Sequence, residues 1–392
     1  MFTESQDLII DTIENTQNNL IARFSMSLLK KRLDILMSAI DKKSSLSSLS
    51  YIKFDFNKDF VTASATDGEL EISSVIQAQV FQEVSFLMPG KLFKDIVDKT
   101  VEEFLEIKTT NVPNTVEVSI EYFNCNISIL DASEFASIRM EDGGSLVTID
   151  ALDLKETLKV SESAVSVDEV IYSLSGIYVH TKTIDNKKYL YFASTDCHRC
   201  AFSRINLNDH DINVDLIIPK RVVQEIIKAI NHFKSPTINL TFDEFKFEVD
   251  YDDIKITSKL IDGVFPEYLD HVPSSFNNSF TVKKELIKHA TERVALLSEG
   301  KYKAIFYDIN DDCIIIKALS NSKSAQEKIF FTKKEGSVVN FEINSDYMLS
   351  AINVLNSEYL EFNLVDSDSP VVVKNQGVED IQIIIMPVAK QS

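Results

Sequence analysis

The sequence predicts an α+β protein of three tandem similar domains, each two helices packed on antiparallel sheets. Three observations carry that reading. Two kinds of helical segment each occur three times along the chain. Short runs of alternating apolar and polar residues fill the intervals between them. One turn string also recurs at a fixed period: Asp67 to Asp196 is 129 residues and Asp196 to Asn321 is 125, while the separate landmarks Pro89, Pro219 and Asn344 stand 130 and 125 apart. Any α+β chain supplies some helix pairs by chance, but chance pairs have no reason to share both a turn and a period.

Taken in order, the first unit opens with a helix over Met26 to Ile40, where Leu29, Leu33, Leu36 and Met37 fall at helical spacing with lysines between them. Alternating Ile52, Phe54 and Phe56 predict a strand, and Ala65-Thr66-Asp67-Gly68 the shared turn. Pro89 to Lys99 is the second helix, opened by proline, and Phe104 begins the alternating strand FLEIKT. The second unit repeats the pattern: helix Ala151 to Ser163, strand Leu190 to Phe192, turn Ser194-Thr195-Asp196-Cys197, helix Pro219 to Asn231 and strand INLTF from Ile238. In the third, helix Lys283 to Leu297, strand Ile314 to Ile316, turn Leu319-Ser320-Asn321-Ser322, helix Asn344 to Asn356 and strand LEFNL from Leu360 follow. Asn-Ser-Asp at the last helix start is an N-terminal signal of the polar kind.

Composition narrows the function. The 392 residues carry 60 acidic against 40 basic side chains, a formal charge of -20, which as a whole-chain sum argues against a generally basic nucleic-acid binder. Divided by element the sum changes meaning. The six helical segments, the first extended through Lys43, hold 17 basic and 11 acidic residues, so they carry +6 and the remainder -26. Helices on one shared surface would offer that basic face to a polyanion without reading its sequence. Lysine also belongs on any exposed helix face, and that reading stays open. Aromatics are scarce on these faces, which argues against base stacking.

Nine glycines and no phosphate-cradling motif argue against a nucleotide-driven enzyme. The longest strongly apolar stretch, Ile381 to Val388, is far short of the ~20 residues of a membrane helix. The first residues are acidic and polar where a signal peptide is basic and then apolar, so the expected compartment is cytoplasmic, in keeping with four cysteines that form no disulfide scaffold. Cys197-His198-Arg199-Cys200 has the spacing of a paired-thiolate metal or redox site, yet further ligands at zinc spacing are missing from the sequence; packing is the alternative. Six histidines give no triad or dyad spacing, so no catalytic residue, metal or cofactor is assigned.

Three strings carry a resemblance. Thr195-Asp196-Cys197-His198-Arg199-Cys200-Ala201, Leu260-Ile261-Asp262-Gly263-Val264-Phe265-Pro266-Glu267-Tyr268, and the terminal Ile384-Ile385-Met386-Pro387-Val388 resemble the bacterial DNA polymerase III beta subunit, the sliding clamp, over roughly Ala22 to Ala389. The resemblance implies a DNA clamp fold and a head-to-tail homodimeric ring whose twelve helices line a hole around double-stranded DNA. It implies an N-terminal extension over 1–20 and clamp domains over 21–145, 146–275 and 276–392. It further implies a processivity factor without catalysis that tethers the replicative polymerase alpha subunit, a clamp loader and other clamp-motif proteins, with no membrane role. By position, Lys43, Lys91, Tyr172, Lys220 and Arg221 match DNA-facing residues. Leu174, Thr195, His198, Arg199, Pro266, Val272, Ile384, Ile385, Met386, Pro387 and Val388 match the wall of a peptide pocket, and Leu296 and Leu297 an apolar pair at the dimer interface. Both leucines also read as buried helix positions. The sequence departs from the family at Cys197, where glycine is usual, at Cys200 for leucine, at His271 for an apolar residue and at Ala389 for a basic one. The alternative function is a non-catalytic acidic scaffold built from the same three repeats.

Overall fold

The computed structural model describes residues 19–41, 47–140, 144–168, 170–207, 211–300, 303–319 and 323–388. Six helices appear among them: α1 (Met26–Leu36), α2 (Gly90–Lys99), α3 (Ala151–Glu162), α4 (Lys220–His232), α5 (Lys284–Ala295) and α6 (Ser345–Val354). All six expected helices form, and their ends move. The first stops at Leu36 and tightens into a 3-10 turn over Met37–Ala39, because Ile40 turns extended. The fifth stops at Ala295, short of Leu296 and Leu297. Leu20 is buried and begins the strand Leu20–Ser25.

Among the described residues strands outnumber helices, and every pairing is antiparallel. They gather into two compact units that do not follow the three repeats. One unit is the described part of Met1–Ala151 with Gln224–Lys259; the other is Leu152–Val223 with Leu260–Ser392. In the first unit a 13-stranded sheet runs from Ser145–Asp150 through Thr237–Phe242, Lys246–Tyr251 and Ile254–Lys259 to Leu70–Val80, then through Leu20–Ser25 and Phe104–Thr109 to Thr115–Ile120 and Phe123–Ser128. The join between repeats lies at Ile256 opposite Ile72 and Thr257 opposite Glu71.

In the second unit a nine-stranded sheet makes the corresponding join, with Arg199–Asn206 beside Ile381–Ile385 and Cys200 opposite Ile384. A four-stranded sheet, Ser324–Ile329 to Val339–Asn344, completes it. Half of the middle repeat thus continues the sheet of the first repeat and half that of the third. The reason is the hydrogen-bonding demand of a sheet edge: a flat apolar strand end left open is an aggregation site, and the neighbouring repeat covers it.

The alternating strands bury one face each. Ile52, Phe54 and Phe56 are all buried; the Phe54 and Phe56 rings stack on each other, Phe54 meets Phe93 edge-on and Phe56 meets Phe86 at a tilt. The helices press their apolar stripes on the same cores, Leu29, Leu33 and Leu36 from α1, Ile287, Ala290 and Val294 from α5. Several helical cations are spent on structure. Arg32 lies 4.4 Å over the Phe233 ring, donates to the Asp252 carbonyl at 2.9 Å and faces Asp253 at 3.6 Å. Lys94 pairs with Asp34 and Asp98, and Lys284 donates to the Leu355 carbonyl at 2.6 Å, capping α6. The basic helical surface is therefore smaller than the residue count implies. No helix among the described residues is long and apolar enough to cross a membrane.

Candidate functional site

Two of the three turn strings can be compared, since Ser320, Asn321 and Ser322 of the third lie outside the described residues. They have one hydrogen-bond pattern. Thr66 Oγ1 accepts from the Gly68 amide and donates to the Leu70 carbonyl, and Asp67 Oδ1 accepts from the Glu69 and Leu70 amides. Thr195 Oγ1 likewise accepts from the Cys197 amide and donates to the Arg199 carbonyl, with Asp196 Oδ1 accepting from His198 and Arg199. Gly68 has φ +90° and Cys197 φ +69°, so a cysteine holds a backbone position that glycine fills in the twin. Each turn is also fixed to the adjoining repeat, by the Lys259 amide on the Glu69 carbonyl and the Met386 amide on the His198 carbonyl.

Beside the second turn opens an apolar cavity of about 240 Å³ lined by Thr195, Cys197, Arg199, Cys200, Pro266, Tyr268, His271, Ile384 and Met386. That is below the ~300–1,000 Å³ of drug-sized sites and suits one or two side chains. Behind it lies a cluster containing Leu174, Tyr191, Phe202, Phe265 and Tyr268. His180 is sandwiched between Tyr178 and Tyr191, with ring centroids 4.7 and 5.0 Å away, and its Nε2 is 2.9 Å from the Tyr268 hydroxyl. Burial holds the His180 imidazole below its ordinary value, and burial with the nearby Asp215 pushes the Tyr178 hydroxyl up to about 12. Arg199 at the rim is bonded to Asp196 at 2.9 Å and lies 4.5 Å over the Tyr347 ring.

Of the pocket residues expected from sequence, Thr195, Arg199, Pro266, Ile384 and Met386 line the cavity together. Leu174 and Val272 pack in the cluster behind it. His198 is exposed, its ring 6.4 Å from Tyr347, and Pro387 and Val388 are half-buried, the Val388 amide bonding the Glu342 carbonyl. Ile385 packs in the core of the third repeat, because successive strand residues face opposite ways and Ile384 takes the cavity side. Tyr268 and the three departures Cys197, Cys200 and His271 are cavity residues as well. The final Tyr of the F-P-E-Y string was the available signal for Tyr268. Cys200 is buried, and burial beside Asp196 pushes its thiol up, so it stays protonated and packs as a small apolar group. Cys197 is exposed.

Lys91 is exposed in the first turn of α2, and Lys220 and Arg221 open α4. Tyr172 is 65% exposed and begins the turn that leads to Gly176, which pairs with Pro219 next to Lys220. Lys43 lies outside the described residues. Leu296 is 82% exposed, so it is no buried helix position, whereas Leu297 is half-buried against the third core.

Three domain families match in tandem: the DNA polymerase III beta subunit N-terminal domain over residues 23–139, its central domain over 148–267 and its C-terminal domain over 270–389. The chain belongs to the DNA polymerase III beta subunit family. Among clamp relatives, the beta sliding clamp of Rickettsia bellii is 25% identical over 366 residues, covering 90% of this chain and 94% of that one. The clamp structures from Caulobacter crescentus and Bacillus subtilis superpose with a TM-score of 0.87 at 22% and 21% identity, each covering 95% of this chain and 100% of the other. Three tandem clamp domains and a role as a DNA polymerase processivity factor follow from this membership, and the acidic-scaffold alternative is not favoured.

Proposed function

We propose that two copies of this chain close head to tail around double-stranded DNA and tether the replicative polymerase alpha subunit, the clamp loader and other clamp-motif proteins through the cavity beside Cys197. The carrying observation is that cavity: apolar walls from Ile384, Met386 and Pro266, the Arg199 cation among its lining residues, and Tyr268, whose hydroxyl meets the stacked rings of Tyr178, His180 and Tyr191 behind it. A short peptide with Leu and Phe anchors fits such a site, since a few buried side chains supply most of the affinity of an interface. Lys91, Lys220, Arg221, Tyr172 and Lys43 face the duplex in this reading, and Leu296 and Leu297 meet the second copy. Holding DNA by closure lets each phosphate contact stay weak, which sliding requires. The protein then acts in the cytoplasm without a cofactor or catalysis of its own.

The test is sedimentation of the protein with nicked circular DNA, in the presence of a loader and ATP, before and after the circle is linearised. Retention on the circle and release from the linear form is the expected result. Equal retention on both would sink encirclement while leaving the docking cavity to be tested with peptide.

A further inference from the structure

The repeat places a second junction of the same construction in the first unit. In both, a Thr-Asp turn leads into a strand that pairs with a strand of the adjoining repeat: Glu71 stands opposite Thr257, and Cys200 opposite Ile384. Counting from the shared turn, Asp67 and Asp196, Glu71 and Cys200 are the same position. The linkers that follow the repeats also start alike, Leu130 pairing with Leu87 and Ile261 with Ile217. From there they part. In the second unit the linker leaves the cavity open beside Cys200.

In the first unit the Glu71 carboxylate, 1% exposed, gathers the linker onto itself. It accepts from Ser137 Oγ at 2.9 Å and the Ile138 amide at 2.8 Å through Oε2, and from Arg139 Nε at 3.0 Å through Oε1. Arg139 reaches on to Ser64 Oγ at 3.1 Å. A buried carboxylate must be satisfied by such donors, so the linker cannot leave without stranding a charge. The Cys200 thiol makes no such demand.

We infer that the first junction is a peptide cleft of the same kind held shut by the Glu71 clasp, and that the exchange of Glu71 for Cys200 between repeats leaves each chain one docking cleft in place of two. This rests on the docking reading of the second junction. The clasp makes partner stoichiometry a property of one side chain.

Glu71→Cys, which installs the second unit's residue, tests it by calorimetric titration with a synthetic Leu-Phe hexapeptide and by hydrogen exchange of the Ile138 amide. The wild-type chain is expected to take one peptide and the variant two. The second binds more weakly, because Thr257 and Lys259 stand where the other cleft has Ile384 and Met386. The Ile138 amide is expected to exchange about tenfold faster or more once its acceptor is gone. Arg139→Ala, at a side chain 47% exposed, loosens the clasp from its outer end and serves where Glu71→Cys does not fold. One peptide in both proteins, with Ile138 freed, would overturn the clasp as the closing element. No peptide on the wild-type chain would instead overturn the docking reading.

Discussion

Cys197 sits at φ +69° in a turn whose twin uses Gly68, and the left-handed region costs a side-chain-bearing residue roughly 1–2 kcal/mol against the 0.5–1 kcal/mol of extra chain entropy that glycine loses. Cys197→Gly is accordingly expected to stabilise the protein by about 0.5–1 kcal/mol, read as a rise in the urea midpoint, and Cys197→Val to lower that midpoint. His180 gives a prediction of different sign. Burial between two tyrosines lowers its pKa in the fold, with Asp215 acting to raise it and Lys182 to lower it. The folded state therefore binds fewer protons than the unfolded one across that window. The stability His180 contributes is complete above its ordinary value of 6.5 and is lost as pH falls through the depressed one. Urea midpoints measured from pH 8 down to 5 should fall in the wild type and fall less in His180→Gln. An equal slope in both would show that the sandwich does not set the proton balance. That Cys197 holds a glycine position was legible in the sequence from its twin Gly68, whereas the role of His180 was not, since ring stacking across strands is a property of a sheet already formed.

Helices were the most legible elements, because Leu29, Leu33 and Leu36, or Ile287, Ala290 and Val294, announce a buried stripe by spacing alone. Their cations were legible only as a sum. Arg32, Lys94 and Lys284 look no different in sequence from Lys91, yet they cap, stack or pair within the fold. Placement distinguishes Lys91. It stands two residues after the Pro that opens α2, in a first turn without acidic residues, where a cation opposes the helix dipole. The corresponding residue of α6 is Asp346, with Asn344 accepting from the Asp346 and Tyr347 amides, the arrangement stability favours. A cation kept against the dipole makes sense where an anion shares it. Lys91→Ala should thus stabilise α2 by about 0.3–1 kcal/mol while weakening DNA binding uniformly across sequences and flattening its salt dependence by roughly one unit of slope. Thermal unfolding and DNA affinity at several salt concentrations check the two halves separately; loss of both stability and affinity would mean that Lys91 is structural.

At the scale of the whole chain, the three repeats were readable from a period, but the two compact units were not. Their sheets are closed by pairings such as Leu70–Val80 with Ile254–Lys259 that join residues far apart in sequence, and hydrophobic alternation does not name a strand's neighbour. It follows that the first repeat is not self-sufficient. A fragment of residues 19–140 leaves the Leu70–Val80 edge without its partner, and size-exclusion chromatography with light scattering should find it associated or aggregated where the full chain gives one defined species. A monodisperse, cooperatively unfolding fragment would show that the sheet join is dispensable. The same interleaving has a further result. The chain passes from one unit to the other after Ala151, after Val223 in the first turn of α4, and after Lys259. A break at any one peptide bond leaves at least two of these passages whole, so the units stay tethered through redundant covalent routes, a fail-safe against single cuts in a protein whose task depends on not coming apart.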